Sequence, residues 1–260
     1  MSSNESIISL EGVSFNYNQH PVLQDINLSI LPGQFIGIIG PNGSGKTTLL
    51  KLISGILSPK QGKIKIFNED IDTISRKKIA KMISLVPQDS FISYNYKVKE
   101  VVFMGRIPFI NQWRGETALD YQISREAMEK TDSLCYAEKG IHQISGGEAQ
   151  RVYIARALAQ SPKILMLDEF TSHLDLSYKY EIVKILQDSL KEKVQCIISV
   201  FHDLNLASYC SDQLILLNEG IIEEIGTPQE VINEYNLKKV YRAKNHIVQH
   251  PELAIPQVIM

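Results

Sequence analysis

Hydrophobic residues in the first third of the chain form short runs that predict β-strands. The runs Ile7 to Phe15 and Ile26 to Ile30 are rich in β-branched residues and are separated by turn residues. Phe35 to Ile39 is a continuous apolar run between glycines, which is typical of a buried strand. Thr48 to Gly55 predicts a helix that ends at a glycine. Lys63 to Phe67 alternates lysine with apolar residues, which predicts a half-exposed strand.

The middle third has a different pattern, because strand signals stop between Pro87 and Ile164. Residues 98 to 160 are mostly helical in composition, so we predict a helical subdomain inserted into an α/β core. After it we predict strands at 164–167 and 197–201, helices at 177–193 and 204–210, a hairpin of strands 214–217 and 221–225, and one helix from Thr227 to about Arg242. No structure is predicted for the last residues.

The composition is that of an ordinary globular protein, with 44% hydrophobic and 22% charged residues in a chain of 260. A formal net charge of −2 argues against nucleic acid as the main partner, because phosphate neutralisation requires a basic surface. The first residues have no basic segment followed by an apolar core, and no apolar run reaches about 18 residues. We therefore expect neither a secretory signal nor a membrane span.

Residues 40 to 47, GPNGSGKT, match the phosphate-loop pattern G-x-x-x-x-G-K-[ST] at every position. Glycines let such a loop turn its N–H groups inward, Lys46 adds a positive charge, and the Thr47 hydroxyl can bind Mg²⁺. A glycine loop that matches by chance is the alternative, but a buried strand precedes this loop and a helix follows it. The predicted nucleotide-binding residues here are Gly40, Pro41, Asn42, Gly43, Ser44, Gly45, Lys46, Thr47 and Thr48.

Two carboxylates, Asp168 and Glu169, follow the apolar run Ile164 to Leu167. Ligands bind at the carboxyl ends of strands in sheets of this kind. Asp168 can hold Mg²⁺, and Glu169 can then polarise a water molecule for attack on a γ-phosphate. An ordinary polar strand end is the alternative for this pair alone, but the phosphate loop favours the catalytic interpretation.

Residues 144 to 151, ISGGEAQR, resemble the signature motif of the ABC ATPase family and precede the acidic pair as that family requires. The resemblance covers about residues 7 to 243. It implies that Ser145, Gly146 and Gly147 meet the γ-phosphate bound by a second subunit. A plain helix N-terminus is the alternative, and its serine and free N–H groups would also suit an anion.

Four further residues match family motifs. The resemblance implies that Tyr17 stacks on adenine, that Gln88 senses Mg²⁺ or the attacking water, and that His202 contacts the γ-phosphate. It also implies that Asp175, in a stretch resembling the D-loop, lies at a dimer interface. Tyr17 as a plain strand aromatic and His202 as a structural residue are the alternatives. The predicted catalytic residues are Glu169, His202 and Gln88, and the predicted metal ligands are Thr47, Gln88 and Asp168.

The sequence departs from the family pattern at three positions. Phe170 replaces the usual proline after the catalytic glutamate, and Ile144 and Ala149 vary the signature without removing its Ser-Gly-Gly core. Proline would fix φ and remove an N–H, so Phe170 can alter the local backbone. We expect none of these departures to abolish hydrolysis.

The resemblance implies an α/β fold. This is a P-loop NTPase core with a mixed sheet and helices on both faces, an N-terminal antiparallel β part and an inserted helical subdomain. The predicted divisions are 1–34 and 62–70 for the antiparallel β part, 35–88 and 161–226 for the core, 89–160 for the helical subdomain, and 227–260 for the C-terminal helix and tail.

The same resemblance implies the cofactors, the partners and the transport function of the chain. The expected cofactors are ATP and Mg²⁺. The expected partners are a second copy in a head-to-tail dimer, integral-membrane permease subunits and, indirectly, a substrate-binding protein, at the cytoplasmic face of the membrane. The stretches 101–108, 168–175 and 201–207 look like the ATPases of iron-siderophore, haem and cobalamin importers.

Other ABC ATPases remain as alternatives. Zinc or manganese importers use similar motors, and the Fe–S assembly type also has a single ATPase unit. Ribosomal and DNA-end types carry a second ATPase unit or a long coiled coil, and this chain has neither a second phosphate loop nor sustained heptads.

Overall fold

The computed structural model describes residues 5–88, 92–111, 113–171, 176–242 and 246–259. The strands are β1 Ile8–Tyr17, β2 His20–Ile30, β3 Gln34–Ile39, β4 Gln61–Ile66, β5 Glu69–Asp70, β6 Ile83–Val86, β7 Ile164–Asp168, β8 Cys196–Val200, β9 Gln213–Asn218, β10 Ile221–Gly226, β11 His246–Gln249 and β12 Pro256–Ile259. The helices are α1 Lys46–Ile53, α2 Arg76–Met82, α3 Val98–Phe103, α4 Ala118–Lys130, α5 Gly146–Ala159, α6 Leu176–Glu192, α7 Leu204–Cys210, α8 Pro228–Val231 and α9 Glu234–Tyr241.

The chain forms two compact units, one of residues 1–75 with 195–260 and one of residues 76–194. The first unit holds an antiparallel sheet in the order β2-β1-β4-β5. Ile8 of the central strand pairs with Ile30 on one side and with Ile66 on the other, and all three side chains are buried. Alternation of buried and exposed positions along β1 explains why this half-exposed sheet is legible in the sequence.

The first unit also contains the parallel strands that carry the phosphate loop. Strand β3 pairs in parallel with β8 on one side and with β9 on the other, and β10 adds to β9 as an antiparallel hairpin partner. Every residue of β8 and nearly all of β3 are buried, in keeping with their mainly apolar sequences. Because carboxyl ends of parallel strands lie at one edge, the residues after Ile39, Val200 and Asn218 all emerge there.

The second unit pairs β6 with β7 in parallel, with Ile83 opposite Ile164 and Val86 opposite Leu167. Residues that follow these two strands therefore leave the pair at the same end. Helices α3, α4 and α5 pack against one another in this unit. The buried Arg106 guanidinium joins them, since Nε lies 3.0 Å from Asp120 Oδ1 and Nη1 donates to the Ala159 carbonyl at 2.8 Å.

The predicted α/β class is confirmed, with an antiparallel N-terminal sheet, parallel strands around the phosphate loop and a mainly helical stretch before β7. The division of the chain into the predicted segments stays a prediction. Helix α2 and strand β5 had no counterpart in the sequence analysis. Within the described ranges, no helix is both long and apolar enough to cross a bilayer.

The single helix predicted from Thr227 to about Arg242 is wrong, because two helices occupy that stretch. Ile232 leaves the helical region with φ −87° and ψ 84°. Asn233 then starts α9 as a new N-cap, since its side-chain oxygen accepts a hydrogen bond from the Asn236 N–H at 2.8 Å. An asparagine at this position offers the backbone a cap that competes with continuation of the first helix.

Candidate functional site

The phosphate loop runs from the end of β3 to the start of α1, as predicted. Gly40 has φ 149°, and a Cβ built there would lie 2.0 Å from the Leu217 carbonyl oxygen. Gly45 has φ 102°, and its Cβ would lie 2.8 Å from Leu23 Cδ2. Only glycine combines these backbone angles with such close neighbours, so the pattern positions at 40 and 45 are requirements of the local packing.

Lys46 is buried and its ammonium group binds to the backbone of the loop. Nζ donates to the carbonyl oxygens of Gly40 at 2.9 Å and Pro41 at 2.8 Å. The Ser44 side chain is also buried, and its hydroxyl has no hydrogen-bond partner among the described residues. A loop of backbone N–H groups that also carries a lysine ammonium and this hydroxyl is rich in donors, which fits an anion.

A cleft of about 360 Å³ lies beside the loop in the same unit. Its lining residues are Pro41, Asn42, Gly43, Ser44, Asn218, Glu219, Lys239, Val240, Tyr241 and Arg242. Burial raises the pKa of Tyr241, and a hydrogen bond from the Gly40 N–H opposes that shift. The end of α9 thus contacts the first residue of the loop. Sequence reasoning missed this contact, since residues 239–242 carry no motif.

Tyr17 is the last residue of β1 and is 44% exposed. Its ring meets the ring of Phe15 edge-on, with centroids 4.9 Å apart and an interplanar angle of 85°. The Tyr17 ring therefore contacts a buried side chain of its own strand while much of it faces solvent. Stacking on adenine stays a prediction for this residue.

The acidic pair lies at the end of β7, as predicted. Asp168 is the last residue of the strand and is buried, and Glu169 follows with φ +52°. A positive φ is uncommon for a residue with a Cβ and is found preferentially at functional sites. The side-chain amide of Gln88, which follows β6, donates a hydrogen bond to the Glu169 carboxylate. The second unit thus brings Gln88 and Glu169 into contact.

Phe170 is only 3% exposed, so the side chain that replaces the family's proline is buried. The backbone here combines a positive φ at Glu169 with a buried ring at Phe170. Packing of an aromatic ring supplies a local constraint in place of the fixed φ of proline.

The Ser-Gly-Gly turn forms the N-terminus of α5, a helix of 14 residues. Ser145 is the N-cap, and its hydroxyl accepts from the Glu148 N–H at 3.3 Å while its own N–H donates to Glu148 Oε2 at 2.7 Å. Ser145 and Gly146 are exposed, and nothing lies within 4 Å of a Cβ placed on Gly146. The positive end of the helix therefore faces solvent and is open to an anion.

Glu148 is held in its ionised form by neighbours. A hydrogen bond from the Tyr136 hydroxyl, followed by hydrogen bonds from Ser145, lowers the pKa of Glu148 to about 2. The same bond to Glu148 raises the pKa of Tyr136. Glu148 therefore stays charged near neutral pH and stabilises the cap of α5.

His202 follows the carboxyl end of β8, and the phosphate loop follows the carboxyl end of β3. Because the two strands are parallel neighbours, both segments lie at the same edge of the sheet. The N–H of the preceding residue, Phe201, donates to the Ile38 carbonyl at 3.0 Å. Asp203 then caps α7, since Oδ1 accepts from the N–H groups of Asn205 at 3.0 Å and Leu206 at 3.1 Å. The His202 side chain is exposed at this edge. The first unit thus brings the loop and His202 to one edge, and the contact of His202 with a γ-phosphate stays a prediction.

The predicted metal ligands are Thr47, Gln88 and Asp168. The described residues contain no group of three or more histidine, cysteine, aspartate or glutamate side chains that could hold a metal ion. Mg²⁺ characteristically uses one or two carboxylates together with substrate phosphates, so a set of one carboxylate, one hydroxyl and one amide fits a nucleotide-dependent Mg²⁺ site. Asp175 lies outside the described residues.

Comparison with known proteins finds similarity to ABC transporter proteins along most of the chain. The family profile described as ABC transporter matches residues 23–172. The chain is 37% identical to the hemin import ATP-binding protein HmuV of Vibrio parahaemolyticus, over 98% of each chain. It is 36% identical to the ABC transporter ATP-binding protein YvrA of Bacillus subtilis over 96% of this chain, but it spans only 57% of that relative's length.

The fold is similar to that of solved transporter chains. A chain of a metal-chelate type ABC transporter, solved in an inward-facing conformation, superposes with a TM-score of 0.84 at 27% identity. That likeness covers 98% of this chain and 97% of the other. It therefore includes the C-terminal residues beyond the region that the family profile matches.

Proposed function

The chain belongs to the ABC transporter family, and from that membership we propose that it is the ATP-hydrolysing subunit of a multi-subunit importer of metal chelates: iron(III)-siderophores, haem or cobalamin. The hydrogen bond between Gln88 and Glu169 carries the hydrolytic part of the proposal. Similarity along the whole chain to a hemin import ATP-binding protein supports the cargo class.

One group of residues binds the nucleotide and another activates the attacking water. Backbone N–H groups of residues 42–48 and the Lys46 ammonium bind the phosphates of ATP. Mg²⁺, held by Thr47, Asp168 and Gln88, would neutralise phosphate charge when bound. Glu169 polarises the attacking water and takes up its proton, the Gln88 amide orients the Glu169 carboxylate, and His202 contacts the γ-phosphate.

A second copy of the chain completes the site. The N-terminus of α5 is exposed, and nothing lies within 4 Å of a Cβ placed on Gly146. We infer that this terminus, with Gly147, binds the γ-phosphate held by the other copy in a head-to-tail dimer, and that Asp175 lies at that interface. ATP binding then favours the closed dimer and hydrolysis releases it.

The membrane partner would dock on the unit of residues 76–194. Large apolar side chains are exposed there at Tyr94, Ile107, Trp113, Leu119 and Tyr121. Large apolar side chains that remain this exposed are candidates for contact with a partner. We assign them to a permease at the cytoplasmic face of the membrane, with Gln88 linking that contact to Glu169, and with a substrate-binding protein acting on the far side of the permease.

Purification of the tagged chain from membranes tests this function. We expect a permease to copurify, and we expect ATP hydrolysis by the reconstituted complex to rise when its binding protein is loaded with an iron-siderophore, haem or cobalamin. Stimulation by zinc or manganese instead would refute the cargo class. Copurification with Fe–S assembly proteins and no permease would refute the transport role altogether.

A further inference from the structure

The Asn205 side chain binds the C-terminal hairpin of β11 and β12. Strands β11 and β12 pair antiparallel, and Val258 lies on the strand that faces α7. The Val258 N–H donates to Asn205 Oδ1 at 2.7 Å, and Asn205 Nδ2 donates to the Val258 carbonyl at 3.1 Å. The amide of Asn205 thus exchanges both hydrogen bonds with one residue, as an opposite residue does in an antiparallel ladder.

Asn205 is also part of the first turn of the helix that follows His202. Its backbone N–H donates to the Asp203 carboxylate, which caps α7 directly after His202. One residue therefore connects the hairpin, the helix cap and the predicted γ-phosphate contact. Asn205 is half-buried, which strengthens hydrogen bonds of this kind relative to those in water.

The other side of His202 is fixed by the sheet. Phe201 is 2% exposed, its ring stacks on Phe35 with centroids 6.3 Å apart, and its N–H continues the ladder to β3. The His202 backbone lies between Phe201 and the first turn of α7, so a shift of that turn moves His202. The hairpin contacts this turn through Asn205.

We propose that Asn205 is a positioning residue: by anchoring the β11–β12 hairpin to the first turn of α7, it holds His202 where it contacts the γ-phosphate. The inference rests on the proposed role of His202 and deepens it. It gives residues 246–259 a task in the nucleotide cycle, which is to make the chain distinguish ATP from ADP.

Binding affinities test the inference without any need for turnover. The full-length chain and its variants are titrated with ADP and with a non-hydrolysable ATP analogue, and the ratio of the two dissociation constants gives the preference for the γ-phosphate. We expect Asn205→Ala to reduce this preference about three- to tenfold, which is typical of coupled neighbouring residues. In a His202→Ala background, the same substitution should change nothing further.

Gln229→Ala is the matched control. Gln229 Nε2 also holds the hairpin, through the Ala254 carbonyl at 3.0 Å, but it does so from α8. We expect this variant to keep the wild-type preference. Asn205→Asp keeps the acceptor for the Val258 N–H and loses the donor, so it should give a smaller reduction than Asn205→Ala and provides the test if the alanine variant fails to fold.

Three outcomes would overturn the inference. These are an unchanged preference in both Asn205 variants, an equal loss in Gln229→Ala, and an additive loss in the His202→Ala background. Failure of the proposed role of His202 is distinguishable, because His202→Ala would then keep the full preference for the ATP analogue by itself.

Discussion

The side-chain amide of Gln88 donates a hydrogen bond to the carboxylate of Glu169, 81 residues further along the chain. Parallel pairing of β6 with β7 explains the contact, because Val86 lies opposite Leu167 and both strands end at the same edge. The amide orients a carboxylate whose backbone has a positive φ. Two independent constraints therefore hold the group that we assign to water activation.

Replacement of Glu169 by glutamine should separate binding from hydrolysis. We expect turnover to fall about 10²–10⁴-fold, because a neutral amide cannot accept the proton of the attacking water. ATP affinity should be unchanged, and size-exclusion chromatography with ATP should show a trapped dimer. The exposed Glu126→Gln serves as a control and should hydrolyse ATP normally. A Glu169→Gln variant with near wild-type turnover would contradict the assignment.

Lys46→Ala should weaken nucleotide binding by about tenfold or more, since hydrogen bonds to charged groups contribute about 1.5–3 kcal/mol. The variant also loses the two bonds from Nζ to the loop carbonyls. Titration with a fluorescent ATP analogue measures the effect. Lys51→Ala, in the last turn of the same helix, should bind normally. Equal affinities in wild type and Lys46→Ala would refute the phosphate-binding role.

Ser145→Arg should abolish hydrolysis while the isolated monomer still binds ATP. A long cationic side chain at the start of α5 would occupy the exposed surface that we assign to the partner's γ-phosphate. ATP affinity is measured at concentrations where the chain is monomeric, and hydrolysis at high concentration. Ser58→Arg, at another exposed serine, controls for added charge. Loss of ATP affinity in the monomeric Ser145→Arg variant would show that Ser145 acts within its own chain.

Asp120→Ala should reduce the free energy of unfolding by about 3–5 kcal/mol, because the buried Arg106 guanidinium would lose its counter-charge. Asp120 also caps α4 together with Thr117, and the Thr117 hydroxyl and Arg106 lower its pKa. Urea unfolding measures the change. Glu129→Gln breaks the exposed pair with Arg125 and should change stability by less than about 1 kcal/mol. Similar losses in both variants would contradict the burial argument.

Tyr136→Phe should make stability less sensitive to acid. The pKa of Glu148 is about 2 in the folded chain against a usual value of 4.5, so its contribution is present above pH 4.5 and is lost as the pH falls toward 2. Without the Tyr136 hydroxyl the folded pKa rises, and that loss becomes smaller. Urea unfolding between pH 5 and pH 3, at low salt, should show a steeper decline for wild type. Parallel declines would contradict the assigned hydrogen bond.

Local sequence patterns were sufficient for the elements that flank the phosphate loop. The helix 204–210 and the hairpin of β9 and β10 follow from apolar spacing and from an Asn-Glu-Gly turn. The loop at 40–47 is equally legible, since glycine is required at defined positions by backbone angles and close neighbours. These signals lie within a few residues of sequence or within one repeating pattern, although the neighbours that crowd Gly40 and Gly45 are the distant Leu217 and Leu23.

The break at Asn233 and the C-terminal hairpin were not predictable in this way. Thr227 and Asn233 are both competent caps, and the sequence alone does not show that the second interrupts the first helix. Strands of four residues with mixed polarity, such as β11 and β12, have too few alternations to stand out.

The sequence by itself predicted a phosphate-binding loop at Gly40 to Thr48 and an acidic pair after a buried strand, because both motifs are local. Only the tertiary structure decided three contacts: Gln88 with Glu169, Tyr241 with Gly40, and Asn205 with the C-terminal hairpin. Each of these is a contact between side chains or backbone atoms distant in the chain. Such contacts depend on strand order and register, which hydrophobic periodicity does not encode.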